Sequence, residues 1–207
     1  MYKTYVKRCF DIMFSLIGIP FLAIAFIFIA PLIYAEDRGT IFYKAKRRGK
    51  YGNIFKMYKF RTMKMNAPDI RNADNSTYNA NDDPRLTSIG KFLRKLSIDE
   101  IPQILNVLKG EMSIIGPRPI TINRPLDEYD EKRRIRLYVR PGITGYTQAY
   151  FRNSITQEEK LQHDADYAEN VTFVGDLKIF IKTIEAVLLR KNIYSNQENI
   201  KDTHEVK

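Results

Sequence analysis

The chain has 207 residues, of which 44% are hydrophobic, and a formal net charge of +10 at pH 7. This apolar fraction is enough to build a core, so the composition excludes a wholly disordered protein. A single cysteine excludes an internal disulfide framework, and with only two histidines it argues against a structural zinc site. The positive charge indicates an anionic partner, which could be nucleic acid, a phosphorylated metabolite or an acidic lipid surface.

A long apolar segment lies near the N-terminus. From Ile12 to Ala35 the chain carries 24 residues without a charge. As one straight helix this segment would extend about 36 Å, enough to cross a hydrocarbon core of about 30 Å. Pro20 lacks an amide hydrogen and follows Gly18, so we expect a break near these residues that divides the segment into two helices, neither long enough to cross.

Basic residues flank this segment on both sides. Lys3, Lys7 and Arg8 precede it, and ten Lys or Arg residues without any Asp or Glu lie between Arg38 and Lys64. Because basic residues favour the cytoplasmic side of a membrane, the residues alone leave two topologies open. One is a re-entrant segment with both ends in the cytosol, and the other is a single crossing with the N-terminus outside.

The middle of the chain contains strand and helix patterns. Residues 41–43 and 54–60 predict two strands joined by a turn at 48–53, which together form a β-hairpin. Its basic side chains favour a solvent-facing or lipid-facing surface, and binding of single-stranded nucleic acid through the interleaved aromatics is a minority alternative. Residues 66–84 predict a polar loop, and apolar residues at helical spacing over 86–96 predict an amphipathic helix.

Two adjacent acids, Asp99 and Glu100, follow that helix directly. Ser97 with Glu100 fits a capping box, so one interpretation is that the acids only start the next helix. The other interpretation is chemical, because the glycine-bearing and proline-bearing loops 116–119 and 140–145 carry arginines whose planar forks suit phosphate oxygens. Carboxylates near such arginines can hold Mg²⁺ against a diphosphate or attack phosphorus.

Eight motifs occur in a fixed order along nearly the whole chain, at residues 7–11, 59–63, 83–87, 96–103, 106–110, 112–113, 116–119 and 141–145. In this order and spacing they resemble the monotopic phosphoglycosyl transferases of bacteria. The resemblance implies a predominantly helical α+β fold in a monotopic membrane protein. It also implies a re-entrant helix-break-helix, a β-hairpin and interfacial amphipathic helices.

The resemblance implies that a sugar 1-phosphate passes from a UDP-sugar to undecaprenyl phosphate with release of UMP, the step that initiates synthesis of a bacterial glycoconjugate. By this analogy Asp99 is the nucleophile of a ping-pong reaction through an aspartyl phosphosugar intermediate. Glu100 is a metal ligand or a base for the incoming phosphate. Mg²⁺ is the implied cofactor, with Asp99 and Glu100 as its ligands.

Further site residues are implied in the same way. The side chains expected to bind the phosphates or the nucleotide sugar are Lys59, Arg118, Arg140 and Asp164. For Asp164 a plain surface position is the simpler interpretation. Three residues are expected to have structural roles: Pro20 in the membrane segment, and Arg94 acting through an internal carboxylate such as Asp176.

Together these patterns predict a re-entrant membrane segment at 1–36, an interfacial catalytic domain at 37–190 and a mobile polar tail at 191–207. The expected location is the bacterial inner membrane, with the catalytic domain on the cytosolic face. The expected partners are a UDP-sugar, undecaprenyl phosphate and anionic lipids, without nucleic acid, and a homo-oligomer is left open. A non-enzymatic membrane-anchored adaptor with a basic docking surface is the alternative from another functional class.

Overall fold

The computed structural model describes residues 1–70, 78, 80, 83–152 and 154–189. The helices are α1 (Lys7–Asp37), α2 (Ser88–Lys95), α3 (Ile104–Lys109), α4 (Glu131–Arg136), α5 (Tyr146–Tyr150), α6 (Gln157–Glu169) and α7 (Phe173–Leu188). The strands are β1 (Phe42–Arg48), β2 (Ile54–Phe60), β3 (Ser113–Ile115), β4 (Ile120–Thr121) and β5 (Gly142–Thr144). This confirms the mixed, mainly helical class, whereas the predicted tail at 191–207 and most of the predicted 66–84 loop lie outside the described residues.

Helix α1 is one continuous helix that includes Pro20 and Pro31, so the predicted interruption near Pro20 is wrong. A proline inside a helix removes a single backbone hydrogen bond, and the flanking turns keep theirs. Gly18 serves packing instead, because a Cβ at this position would lie 2.6 Å from Cδ1 of Ile104 in α3. The helix approaches α3 closely at this glycine.

The apolar surface of α1 is largely uncovered by the rest of the protein. The most apolar 18-residue window within Tyr2–Asp37 has a mean hydropathy of 2.7, and 17% of that window is buried. Phe21, Ile27 and Phe28 are each more than 60% exposed. By length and composition, this helix is compatible with a membrane segment.

Both ends of α1 nevertheless contact the same globular part of the chain. Near the N-terminal end, Arg8 donates to the backbone carbonyls of Val107 at 2.5 Å and of Leu108 at 2.9 Å, at the end of α3. At the other end, Asp37 forms an ion pair with Arg61, which directly follows β2. The long helix is therefore tied to the globular part at both of its ends.

Strands β1 and β2 form the predicted antiparallel hairpin, with Phe42 opposite Phe60 and Arg48 opposite Ile54. Strand β1 is longer than predicted and also pairs with β4, where Arg47 lies opposite Thr121. This third strand was not predicted.

The two faces of the hairpin have different environments. One face buries Ala45, Phe55 and Met57 in a core that also contains Val107 and Met112. This face also carries Lys59, because side chains alternate between faces along a strand.

The opposite face of the hairpin contacts α1 at one end and carries a group of lysines farther along. Phe42 stacks on Phe26 of α1 at 5.6 Å and on Phe60 at 5.5 Å. Further along the same face lie exposed Ile54 and three exposed lysines, Lys44, Lys46 and Lys56, and these lysines are here called the lysine face. Lys46 and Lys56 are direct cross-strand partners, and such a like-charge pair destabilises a hairpin in the absence of a counter-charge.

Strands β3 and β5 pair in parallel and bring together the two loops that the sequence singled out. Ser113 lies opposite Gly142, and Ile115 lies opposite Thr144. A Cβ on Gly142 would lie 2.1 Å from the backbone nitrogen of Gly116, so only glycine permits this approach. The loops 116–119 and 140–145 therefore lie side by side.

Helix α7 begins slightly earlier than predicted and packs beside the start of α1. Asp176 is 4% exposed, and its carboxylate contacts Lys7 and the hydroxyls of Tyr2 and Tyr167. The predicted apolar stripe of α7 faces outward in large part, since Ile181 is 58% exposed. Asp176 therefore connects the N-terminal end of α1 to the rest of the protein.

Candidate active site

Asp99 and Glu100 lie in a short 3₁₀ helix, Ile98–Gln103, between α2 and α3. The residue before it, Ser97, has a φ of 57° and makes no side-chain capping hydrogen bond. Asp99 lies inside the helical turn rather than at its cap. The predicted capping hydrogen bonds are therefore wrong, whereas the expected position of both acids in the first turn of a helix is confirmed.

Lys59 on β2 contacts both acids, but unequally. Its Nζ lies 2.5 Å from Oε1 of Glu100 and 3.7 Å from Oδ2 of Asp99. The Asp99 side chain is 10% exposed, and among the described residues nothing donates a hydrogen bond to its carboxylate. Glu100 is thus neutralised by the lysine, whereas the Asp99 oxygens keep lone pairs available for another partner.

The same contacts separate the acidities of the two carboxyls. Burial raises the pKa of Asp99, and the opposing charge of Lys59 does not cancel that effect. Burial also acts to raise the pKa of Glu100, but Lys59 and then Arg118 outweigh it, so this pKa is lowered. Two adjacent carboxyls with pKa values pushed in opposite directions are typical of an acid-base site.

Arginines from three separate segments surround the pair. The charge of Arg118 lowers the pKa values of both Asp99 and Glu100, and its side chain is exposed and forms no ion pair with a described residue. Arg94 on α2 also acts on Asp99, and its Nε donates to Oγ1 of Thr62 at 3.0 Å. These guanidinium groups give the site a strongly positive potential.

Arg152 is a site residue that the sequence analysis missed. It follows α5 in a left-handed conformation with a φ of 51°, and its charge acts on Glu100. No local pattern marks this arginine, because 52 residues of chain separate it from the acid that it faces.

Two predicted phosphate-binding or substrate-binding residues have other surroundings. Nε of Arg140 donates to the backbone carbonyl of Gly110 at 2.8 Å. The charged group on which Arg140 acts is the guanidinium of Arg8, and not Asp99 or Glu100. Asp164 is 2% exposed, so its interpretation as a surface acid is wrong. It forms an ion pair with Arg136 at 2.7 Å.

The predicted partnership of Arg94 with Asp176 is also wrong. The Asp176 carboxylate is held by the groups at the start of α1 described above. Besides Asp99, the internal carboxylate on which the charge of Arg94 acts is Asp83, which is fully buried and paired with Arg85 at 2.7 Å. Arg94 supports the site from α2, beside a different acid.

Asp99 and Glu100 have the donor chemistry that Mg²⁺ requires. No group of three or more His, Cys, Asp or Glu side chains arranged for a metal occurs among the residues that the structure describes. Mg²⁺ is commonly bound through only one or two carboxylates together with substrate phosphate oxygens. The open oxygens of Asp99, beside the second carboxylate, fit such a shared site.

The bacterial sugar transferase family matches residues 2–190. The chain belongs to this family. It is 38% identical to the exopolysaccharide production protein ExoY of Sinorhizobium fredii, over 91% of this chain and 88% of that protein. It is 40% identical to the galactosyl transferase CpsE of Streptococcus agalactiae, over 88% of this chain and 42% of that protein.

A further relative names a reaction. The chain is 36% identical to the undecaprenyl-phosphate galactose phosphotransferase of Salmonella typhimurium, over 93% of this chain and 42% of that longer protein. Family membership makes the chain a sugar transferase, and phosphoglycosyl transfer is the enzyme class of this named relative.

Proposed function

We propose that this enzyme transfers a sugar 1-phosphate from a UDP-sugar to undecaprenyl phosphate and releases UMP. The observation that carries the proposal is the buried Asp99 carboxylate, which no described residue hydrogen-bonds, next to a lysine-neutralised Glu100. The surrounding arginines suit a diphosphate, and the relatives include named undecaprenyl-phosphate sugar phosphotransferases.

In the first half of the reaction, an Oδ atom of Asp99 attacks the β-phosphorus of the UDP-sugar. The bond between this phosphorus and the oxygen bridging to the α-phosphorus breaks, so UMP leaves and an aspartyl phosphosugar remains. Arg118 and Lys59 stabilise the negative charge that develops on the phosphate oxygens. Mg²⁺ held by Asp99, Glu100 and the substrate would neutralise diphosphate charge.

In the second half, an oxygen of undecaprenyl phosphate attacks the same phosphorus. The acyl phosphate bond to Asp99 breaks, which regenerates the carboxylate and gives the lipid-linked diphosphosugar. Glu100 remains ionised because its pKa is lowered, so it can position or deprotonate the incoming phosphate. This step initiates the assembly of a bacterial glycoconjugate.

We propose that α1 enters the membrane from the cytosolic side and that both of its ends remain on that side. The supporting observation is that Arg8 and Asp37, near opposite ends of the helix, both contact the globular part. In a single crossing, one of these two contacts would lie on the far side of a hydrocarbon core about 30 Å thick, away from the globular part. Cytosolic placement also gives the site access to a soluble nucleotide sugar.

We further propose that the lysine face binds anionic lipid headgroups. It belongs to the same side of the hairpin as Phe42, which packs on the membrane helix, so it faces toward the bilayer that contains α1. Headgroup phosphates would also supply the counter-charge that the Lys46 and Lys56 pair requires.

The decisive experiment measures UMP release from a panel of UDP-sugars, with undecaprenyl phosphate and Mg²⁺, by purified wild-type protein and by the Asp99→Asn and Asp99→Ala variants. Wild type should turn over with at least one sugar, and both variants should lose at least about 10³-fold in rate. Glu128→Gln, at an exposed acid, is the matched control and should retain full activity. Full lipid-dependent turnover by Asp99→Ala would exclude Asp99 as the nucleophile.

The ping-pong order has a test of its own. Without undecaprenyl phosphate, wild type should exchange labelled UMP into the UDP-sugar, because UMP leaves before the acceptor binds. An exchange that strictly requires the lipid would contradict the covalent intermediate.

A further inference from the structure

Asp164 lies outside the group around Asp99, yet its contacts lead back to that group. It is a buried residue of α6, and its Oδ2 lies 2.7 Å from Nη2 of Arg136 in α4. Its Oδ1 accepts a hydrogen bond of 3.0 Å from Oγ1 of Thr147 in α5. Both oxygens have protein partners and the residue is 2% exposed, so a sugar or nucleotide has little access to Asp164.

The same Arg136 nitrogen also holds the loop that carries Arg118. Nη2 donates to the backbone carbonyl of Arg118 at 3.1 Å, and the same atom forms the ion pair with Asp164. The preceding carbonyl, that of Pro117, accepts from the backbone nitrogen of Gly142 at 2.9 Å. The loop is therefore fixed at two successive carbonyls, one by backbone and one by a side chain.

The sequence around Arg118 makes this second bond effective. Arg118 lies between two prolines, so the ring of Pro117 fixes one dihedral before it and Pro119 disfavours a helical conformation at Arg118 itself. With little torsional freedom left in the backbone, the direction of the Arg118 carbonyl largely sets the direction of its Cα–Cβ bond, from which the side chain starts. The positive charge of that exposed side chain lowers the pKa values of Asp99 and Glu100.

We propose that Asp164 and Arg136 are positioning residues for the transfer reaction. Asp164 orients Arg136, which holds the Arg118 backbone so that its guanidinium meets the diphosphate above Asp99. This role differs from direct contact of Asp164 with the substrate, and it rests on the function proposed above.

The test is a double-mutant cycle on kcat/KM for UMP release, using the full-length protein with Asp164→Asn, Arg118→Ala and both changes together. Each single change should lower kcat/KM roughly 10- to 100-fold, since misplacing a positioning group costs rates of that order. In the Arg118→Ala background, Asp164→Asn should cost less than about twofold more, because the group that it positions is gone. A purely structural role would give the same loss in both backgrounds.

Two further variants guard against a folding artefact. Glu158→Gln removes the exposed pair between Lys132 and Glu158, which joins the same two helices at 3.1 Å, and it should leave kcat/KM unchanged. Thr147→Val removes the hydroxyl that donates to Asp164 and that also lies 3.1 Å from Oε1 of Gln148, and it leaves the Asp164 carboxylate in place, so it gives a milder probe if Asp164→Asn does not fold. The decrease in kcat/KM caused by Thr147→Val should also be absent in the Arg118→Ala background. Thermal midpoints are recorded for every protein.

The outcomes separate the two proposals. Additive losses for Asp164→Asn or Thr147→Val on top of Arg118→Ala would overturn the positioning role while leaving the transfer reaction intact. A wild-type protein without UMP release would overturn the proposed function itself, and full activity in Asp99→Asn would overturn the role of Asp99 as its nucleophile.

Discussion

At the scale of single residues, Asp99 and Glu100 show how one lysine can assign different tasks to neighbouring carboxyls. Lys59 lies close to Glu100 and farther from Asp99, so it neutralises the first and leaves the second with its oxygens available. Burial then raises the pKa of Asp99, which makes its carboxylate more basic and more nucleophilic than an exposed aspartate.

The raised pKa of Asp99 predicts an acidic limb in the activity profile. Because the attacking form is ionised, kcat/KM for UMP release should fall on acidification at a pH above the ordinary aspartate pKa of about 3.9. Lys59 acts to lower this pKa, so Lys59→Gln should move the limb to higher pH. Lys56→Gln, on the opposite face of the same strand, should leave the limb in place, and a limb unmoved by Lys59→Gln would contradict this assignment.

The same pKa shift predicts a stability effect. When a carboxyl has a higher pKa in the folded protein than in the unfolded chain, the protein loses stability as the pH rises through the pKa of the folded state. At neutral pH, Asp99→Asn removes this cost and should leave the thermal midpoint unchanged or higher. The control is Thr87→Ala, since the Thr87 hydroxyl accepts from the Gly90 nitrogen at 3.0 Å and its loss should cost about 1 kcal/mol. A decrease of similar size for Asp99→Asn would restore the capping interpretation.

At the scale of elements, the β-hairpin separates two electrostatic tasks. One face carries Lys59 toward the acid pair, and the other carries the lysine face on the side that packs on α1. Successive side chains of a strand point to opposite faces, so the seven residues of β2 can serve both tasks.

The lysine face predicts a lipid-dependent change in hydrogen exchange. In nanodiscs with phosphatidylglycerol, backbone amides of β1 and β2 should exchange more slowly than in neutral nanodiscs, because each lysine near anionic lipid contributes about 1 kcal/mol. Changing Lys44, Lys46 and Lys56 together to Gln should abolish the difference. Helix α6 serves as the internal reference, and equal protection of wild type in both lipids would rule out the lysine face as a lipid-binding surface.

The elements also show which structural features a sequence reveals. The hairpin and the amphipathic helices were predictable because their signals are local. Strand β4 was missed because it is two residues long and pairs with residues more than 70 positions earlier. The sequence marked Asp164 and Arg140 as candidate site residues. Their partners, Arg136 and the carbonyl of Gly110, come from distant segments, so the burial of Asp164 and the contacts of both residues could not be predicted. Pro20 misled the prediction because one absent amide does not end a helix that is otherwise intact.

At the scale of the whole molecule, the attachment of both α1 ends predicts the membrane topology. Cys9 is the single cysteine of the chain and is exposed. In intact cells it should resist an impermeant thiol reagent and react after permeabilisation. A Cys9→Ser variant with Arg38→Cys at the other end of the helix should behave identically. Labelling of Cys9 from outside would establish a single crossing instead.

The ion pair between Lys7 and Asp176 has a consequence for the order in which the protein is made. The two residues are 169 positions apart, and they join at 2.6 Å. At a synthesis rate of about 5–20 residues per second, the ribosome needs roughly 10–30 s to produce the second partner after the first. The apolar helix α1 is therefore complete well before its contacts with α3 and α7 can form, so we expect the membrane to receive it while the rest of the enzyme is still being translated.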